Sequence, residues 1–219
     1  MDRPVAAISW SGGKDSCLAL MRAWPDFDVR VMVTMFDEAG ARSRSHGLRP
    51  DVIHAQAQRL GLTTISERCA WATYEAAFAR ALADAARLGC GHVIFGDIFE
   101  DDHRRWTERL AAGAGLVAHQ PLWGEPTGNL VREFLTRGGR ASIVTVREAC
   151  LDDTWLGRDL TVEAIDALTA LGADPLRWPN LILARARFCP MRSWSSVAMR
   201  RRSLSSERDN SEANSCSLR

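Results

Sequence analysis

Apolar positions along the chain switch repeatedly between a run or a two-residue period and a helical one. Val5-Ala-Ala-Ile-Ser-Trp10 is a short apolar run that breaks into Ser11-Gly-Gly-Lys-Asp-Ser16. Cys17, Leu18, Leu20, Met21 and Trp24 then recur at helical spacing until Pro25 stops the helix. Val29–Phe36 is apolar enough to be a strand buried on both faces. Pro50-Asp51 opens a helix that runs to about Leu60 and ends at Gly61, and Thr63–Ser66 reads as a third strand. Thr73 is the expected cap of a helix whose Phe78, Ala81, Leu82, Ala85 and Leu88 repeat before Gly89, and His92–Ile98 is the fourth strand. A polar helix over 101–112, a strand over 116–120, a helix over 127–136, a strand over 142–146 and a helix over 162–171 complete the pattern. Strands alternating with helices predict an α/β fold with a mostly parallel twisted sheet and helices on both faces. In such a sheet the loops after strands one, two and four converge at the carboxyl ends of the strands.

That prediction gives the first glycine-rich turn a role. Gly12 and Gly13 let backbone N–H groups approach an anion, and the helix opening at Lys14 or Asp15 points its own N–H groups and positive dipole end at the same place. Ser11 and Ser16 add hydroxyls. Lys14 adds a full charge, and it is the only lysine in the chain, the other 27 basic residues being arginine. A compact ammonium on a flexible stem suits phosphate oxygens better than a planar fork. The turn is not the Walker P-loop, which needs two glycines four residues apart and a Lys followed directly by Ser or Thr. Ser-Gly-Gly-x-Asp-Ser instead resembles the PP-loop of the N-type ATP pyrophosphatases, or adenine nucleotide alpha hydrolases. That resemblance implies binding of the β,γ-pyrophosphate of ATP and attack at the α-phosphate.

Composition narrows the class without naming it. With 219 residues, 46% of them hydrophobic and 25% charged, the chain reads as globular. No run is long enough to span a bilayer and the N-terminus lacks signal-peptide features, so a cytoplasmic home without membrane contact is expected. Six cysteines with no C-x-x-C pair read as reduced thiols, and also argue against PP-loop enzymes that thiolate RNA through paired cysteines. The net charge of +1 conceals a split: residues 1–175 carry 19 basic and 24 acidic side chains, whereas residues 176–219 carry 9 and 3. An acidic body argues against nucleic acid as a partner.

A second informative stretch is Phe95-Gly-Asp-Ile-Phe-Glu-Asp-Asp-His-Arg-Arg-Trp106-Thr-Glu108. Gly96 and Asp97 fall at the end of the fourth strand, where Asp97 could hold Mg2+ against a triphosphate or cap the following helix. Pro121-Leu-Trp-Gly124 puts an aromatic ring and a glycine just after a predicted strand, a wall for a flat or greasy group, and Leu151-Asp-Asp-Thr-Trp-Leu-Gly-Arg158 does likewise and adds a carboxylate and a guanidinium. Read alone, Trp123 and Trp155 are core or rim residues, and Arg158 either pairs with an acid or binds an anion.

Taken together with His46-Gly47, Gln56-Ala57, Leu60-Gly61, Tyr74-Glu75 and Glu133-Phe134, these pieces resemble, in order and spacing from about residue 5 to Pro175, the diphthine-ammonia ligase family. The resemblance implies an ATP-binding domain over residues 1–98 with an adenine nucleotide alpha hydrolase-like sheet, and a smaller α/β lobe over 99–175 closing on it. It implies that ATP adenylates a carboxylate and that ammonia displaces AMP to give an amide. ATP and the turn are matched through Ser11, Gly12, Gly13, Lys14, Asp15 and Ser16, with His46 and Gly96 bordering the nucleotide and Asp97 taking Mg2+. His103, Glu108 and Arg158 are carried over as catalytic with Lys14 and Asp97, and Trp106, Trp123, Gly124 and Trp155 as contacts to the acceptor. The implied partners are ATP, ammonia and a carboxylate acceptor, small molecule or protein side chain; a homodimer is compatible with the pattern. No glutaminase nucleophile is present in the pattern, so free ammonia supplies the nitrogen.

The resemblance stops after Gly172-Ala-Asp-Pro175, where the family continues with a Gly-Glu-Asn-Gly-Glu-Phe-His-Thr run and this chain continues with a Ser- and Arg-rich basic tail over 176–219. The tail reads as disordered after about Arg192 and as an out-of-frame reading of the gene's 3′ end. Its departure leaves two alternatives: a PP-loop enzyme acting on tRNA or another small substrate, and a catalytically impaired ATP-binding protein. The arginine preference points to a GC-rich genome and a bacterial relative with a different acceptor.

Overall fold

The computed structural model describes residues 2–146, 151–171 and 182–183. Its centre is a five-stranded, all-parallel sheet in the order β3-β2-β1-β4-β5, built from β1 (Val5–Ser9), β2 (Asp28–Phe36), β3 (Thr63–Arg68), β4 (His92–Ile94) and β5 (Val117–His119). The connecting helices are α1 (Lys14–Ala23), α2 (Pro50–Leu60), α3 (Tyr74–Arg87) and α4 (Asp101–Gly113), followed by α5 (Thr127–Thr136) and α6 (Val162–Ala170). A separate antiparallel pair joins β6 (Ile143–Thr145) to β7 (Ile182–Leu183).

Alternation along the strands divides the core into two layers. Ala6, Ile8, Met32 and Ile94 face the side covered by α1, α2 and α5, where Leu18, Ile53, Leu130 and Phe134 pack in one cluster. Ala7, Val31, Val33, Val93 and Phe95 face the other side, against Ala77, Phe78, Leu82 and Leu110 of α3 and α4. Helices therefore cover both faces, as the pattern predicts. Each fully buried Ile, Leu or Phe in these layers contributes roughly 1.5–3 kcal/mol relative to exposure. Strand order reverses at β1, which has β2 on one side and β4 on the other, and it is there that a crevice opens beyond the carboxyl ends.

Several boundaries differ from the pattern for identifiable reasons. β4 ends at Ile94 instead of Ile98, because the chain leaves the sheet at Gly96 to lie against the start of α1. An alanine Cβ at Gly96 would stand 2.7 Å from Ser16 N and 2.9 Å from the Asp15 carbonyl carbon. Asp97 does not cap α4; the residue before that helix is Glu100, with φ 83° and no side-chain cap bond. Thr73 does not cap α3 with its side chain either, since its Oγ1 bonds the Ala70 N–H and carbonyl to close a 3-10 turn over Trp71–Thr73. β5 lies beyond residue 98 yet belongs to the main sheet, and the 182–183 strand falls within the divergent tail, before Arg192 where disorder is expected to begin. The rest of that tail lies outside the described residues, as do Cys150, Cys189 and Cys216; Cys17, Cys69 and Cys90 are free thiols.

Candidate active site

The turn after β1 is held by its own hydroxyls. Gly13 N–H donates to Ser11 Oγ at 3.2 Å, Ser11 Oγ lies 3.0 Å from Ser16 Oγ, and Ser16 Oγ donates to Gly13 O at 3.1 Å. Gly12 takes φ 81°, a conformation glycine adopts without cost. Both glycines also make room for neighbours: a Cβ on Gly12 would strike Leu48, and one on Gly13 would strike the His46 ring. Gly13 precedes α1 without a side chain to cap it, so the first N–H groups of the helix keep no side-chain partner among the described residues.

This turn forms one wall of a cavity of about 220 Å³ at the point where strand order reverses. Ser11, Asp15 and Ser16 contribute from the turn, Thr34 and Met35 from the end of β2, and Gly96 and Asp97 from the loop after β4. Thr34 Oγ1 donates to Trp10 O at 2.8 Å and Trp10 Nε1 to Gln56 Oε1 at 2.8 Å, which fixes the exit of β1. His46 closes one side. Burial pushes its pKa down to about 4, so the ring is neutral, and its Nδ1 is buried without a hydrogen-bond partner. The Lys14 ammonium sits behind the wall, 6% exposed and 2.8 Å from Asp15 Oδ2.

In the loop after β4, Asp97 Oδ1 lies 3.0 Å from His103 Nδ1, and this hydrogen bond raises the His103 pKa. The other oxygen, Asp97 Oδ2, is buried without a partner. A buried carboxylate oxygen without a donor is costly unless something else meets it, and a hard cation does so. His103 stacks on Trp106 with centroids 5.3 Å apart, and Trp106 on Phe78 at 5.5 Å. Glu75 fixes the indole by accepting from Trp106 Nε1 at 2.8 Å, while Arg109 donates to both Glu75 oxygens at 3.0 Å. Burial raises the Tyr74 phenol to about 12, so this aromatic wall carries an uncharged hydroxyl.

The structure thus brings Ser11, Asp15, Ser16, His46, Gly96, Asp97, His103 and Trp106 to one cavity, with Gly12, Gly13 and Lys14 directly behind it. The remaining sequence candidates do not line it. Glu108 is turned to Arg104, whose Nε donates to it at 2.8 Å. Arg104 also covers the Trp123 ring at 4.9 Å, and Gly124 N–H donates to Ile98 O at 2.8 Å. Trp155 is 8% exposed in the core, under the Arg158 guanidinium at 4.6 Å, while Arg158 Nε donates to Thr154 O at 2.7 Å. Motif matching selects residue types and cannot say which way a side chain turns. Conversely, Tyr74, Phe78 and Thr107 line the cavity without having been given a role. Tyr74 and Phe78 stand four apart on α3, a spacing that reads as core.

No curated protein matches the chain. Among solved structures it is similar to one described as a predicted subunit of tRNA methyltransferase from Methanocaldococcus jannaschii DSM, at 16% identity and a TM-score of 0.39, covering 78% of this chain and 91% of that one. These comparisons give no support to a bacterial source. A family model, the diphthamide synthase N-terminal domain, matches residues 4–118, more than half of the sequence, and the chain belongs to that family.

Proposed function

We propose that the protein is an ATP-dependent, amide-forming ligase. Family membership supports the use of ATP, and the observation that carries the reading is the uncapped glycine turn facing a cavity that also holds a partnerless buried carboxylate oxygen. In the first step an acceptor carboxylate oxygen attacks the α-phosphorus and the bond to pyrophosphate breaks. In the second, ammonia attacks the acyl carbon, the bond to AMP breaks and a proton leaves the nitrogen.

The chain's own residues divide the work. Backbone N–H groups of the Ser11–Ser16 turn and the Lys14 ammonium bind pyrophosphate and stabilise the charge that builds on it as it departs. One such preorganised contact contributes roughly 3 kcal/mol to transition-state stabilisation. Asp97, through its free Oδ2, is the residue that would hold Mg2+, which when bound neutralises charge on the phosphate oxygens. His46, neutral, borders the nucleotide without adding charge. His103 and Trp106 face the acceptor side. Proposed roles for Glu108, Trp123, Gly124, Trp155 and Arg158 require the segments bearing them to approach the cavity when substrates bind. Their present distance favours, as a second reading, a protein that binds ATP without turning it over.

Calorimetry with Mg-ATP, using Lys14→Ala as control, followed by chromatography of the nucleotide, separates these readings. Lys14-dependent binding with AMP formed only in the presence of ammonia and an acceptor-containing extract is the expected result. Binding without AMP selects the second reading, and absence of binding rejects both.

A further inference from the structure

We propose that Asp15 is an internal counter-anion that withholds Lys14 from phosphate until a divalent cation draws its carboxylate away, so that metal precedes nucleotide at this site. The inference rests on the assignment of the turn to pyrophosphate and adds an order of events to it.

Lys14 and Asp15 are consecutive in the first turn of α1, and side chains one residue apart on a helix project about 100° from each other. The 2.8 Å contact between Lys14 Nζ and Asp15 Oδ2 therefore requires the lysine stem to bend back toward its neighbour. Burial explains why it does. The Lys14 side chain is 7% exposed, and an ammonium out of water needs a partner. Asp15 is 34% exposed and lines the cavity, whereas Lys14 does not. An incoming phosphate consequently meets the carboxylate before the ammonium, and like charge repels it.

The backbone has little freedom to resolve this. The Gly96 backbone lies against Asp15 and Ser16 so closely that even a methyl group is excluded, so any switch is confined to side chains. The same cavity offers a destination for Asp15. Asp97 Oδ2 is buried and unpaired, and Asp97 and Asp15 line the cavity together. A hard cation held by Asp97 attracts the second carboxylate, and each step toward it frees Lys14 for an anion.

Lys14 is the only lysine of the chain, so protein made with 15N-labelled lysine gives a single side-chain ammonium signal. In the full chain without nucleotide, addition of Mg2+ is expected to shift that signal, and the shift is expected to vanish in Asp15→Asn. In EDTA, Asp15→Asn is expected to bind inorganic pyrophosphate at least tenfold more tightly than the wild type, because the ammonium is already free. A wild-type lysine signal indifferent to Mg2+, or metal-free pyrophosphate binding no stronger in Asp15→Asn, overturns the proposal. The wild-type titration needs no variant and decides the matter even where Asp15→Asn fails to fold. Failure of the pyrophosphate assignment shows elsewhere, as absence of Lys14-dependent Mg-ATP binding, which failure of the latch leaves intact; failure of the ligase chemistry alone shows as binding without AMP.

Discussion

At the scale of single residues, two side chains and one missing side chain set the behaviour of the cavity. Gly96→Ala would drive a methyl group into the Asp15–Ser16 backbone and displace the turn. At least a tenfold loss of Mg-ATP affinity is expected by calorimetry. Gly47→Ala is the control, since its φ of 61° costs about 1 kcal/mol while its Cβ would meet open space, and nucleotide affinity should hold. His46 makes stability depend on pH. Its folded-state pKa of about 4 lies below the ordinary imidazole value of 6.5, so between those values the unfolded chain binds the extra proton. Stability present above pH 6.5 is therefore lost as pH falls toward 4, by roughly 3 kcal/mol. His103 runs the other way, because Asp97 raises its pKa: its contribution is present at low pH and fades as pH rises. Urea midpoints at pH 7 and pH 5 should differ less in His46→Asn than in the wild type. None of this was legible in the sequence, where His46 and Gly96 are only positions in a pattern and the neighbours that give them their environment are distant in the chain.

At the scale of elements, Arg22 is the clamp between α1 and the segment that follows β5. Its Nη1 donates to Pro121 O at 2.8 Å, Nη2 to Glu125 Oε2 at 2.9 Å and Nε to Glu133 Oε1 at 3.1 Å. The arginine side chain is 19% exposed, and both glutamates have lowered pKa values through it. Arg22→Met should cost about 2–3 kcal/mol in urea unfolding, since Glu125 loses its cation and Glu133 keeps only Arg137, whose Nε lies 2.7 Å from it. Glu125→Gln should cost less than about 1 kcal/mol, because Glu125 is 41% exposed and Glu133 remains. The order of the first twelve strands and helices was legible because buried strands are written as apolar runs and amphipathic helices as a 3.6-residue repeat. Their ends were less so. β4 stops early for a packing reason at Gly96, and β7 is two residues long in a stretch without periodicity. The motif residues from Glu108 to Arg158 illustrate the same limit: each was visible as a type, while the partner that turns it away, such as Arg104 for Glu108, was one of many arginines.

At the scale of the whole molecule, the family match ends at residue 118, yet the core does not. Leu122, Leu130, Phe134, Ile143 and Leu168 belong to the same buried cluster as Ile8 and Leu18. A chain cut after residue 118 should therefore keep helical far-UV dichroism, lose near-UV dichroism and bind a hydrophobic dye such as ANS, the signature of lost side-chain packing. Cooperative unfolding of that fragment with native near-UV signal would show instead that the matched segment folds alone. The burial of Lys14 reaches beyond the cavity as well. With no other lysine in the sequence and this one 6% exposed, the folded protein offers acylating reagents little besides its α-amino group. Amine-directed dyes and surface couplings should attach at the N-terminus in a single orientation, and a second equivalent of label should appear only when the turn around Lys14 comes apart.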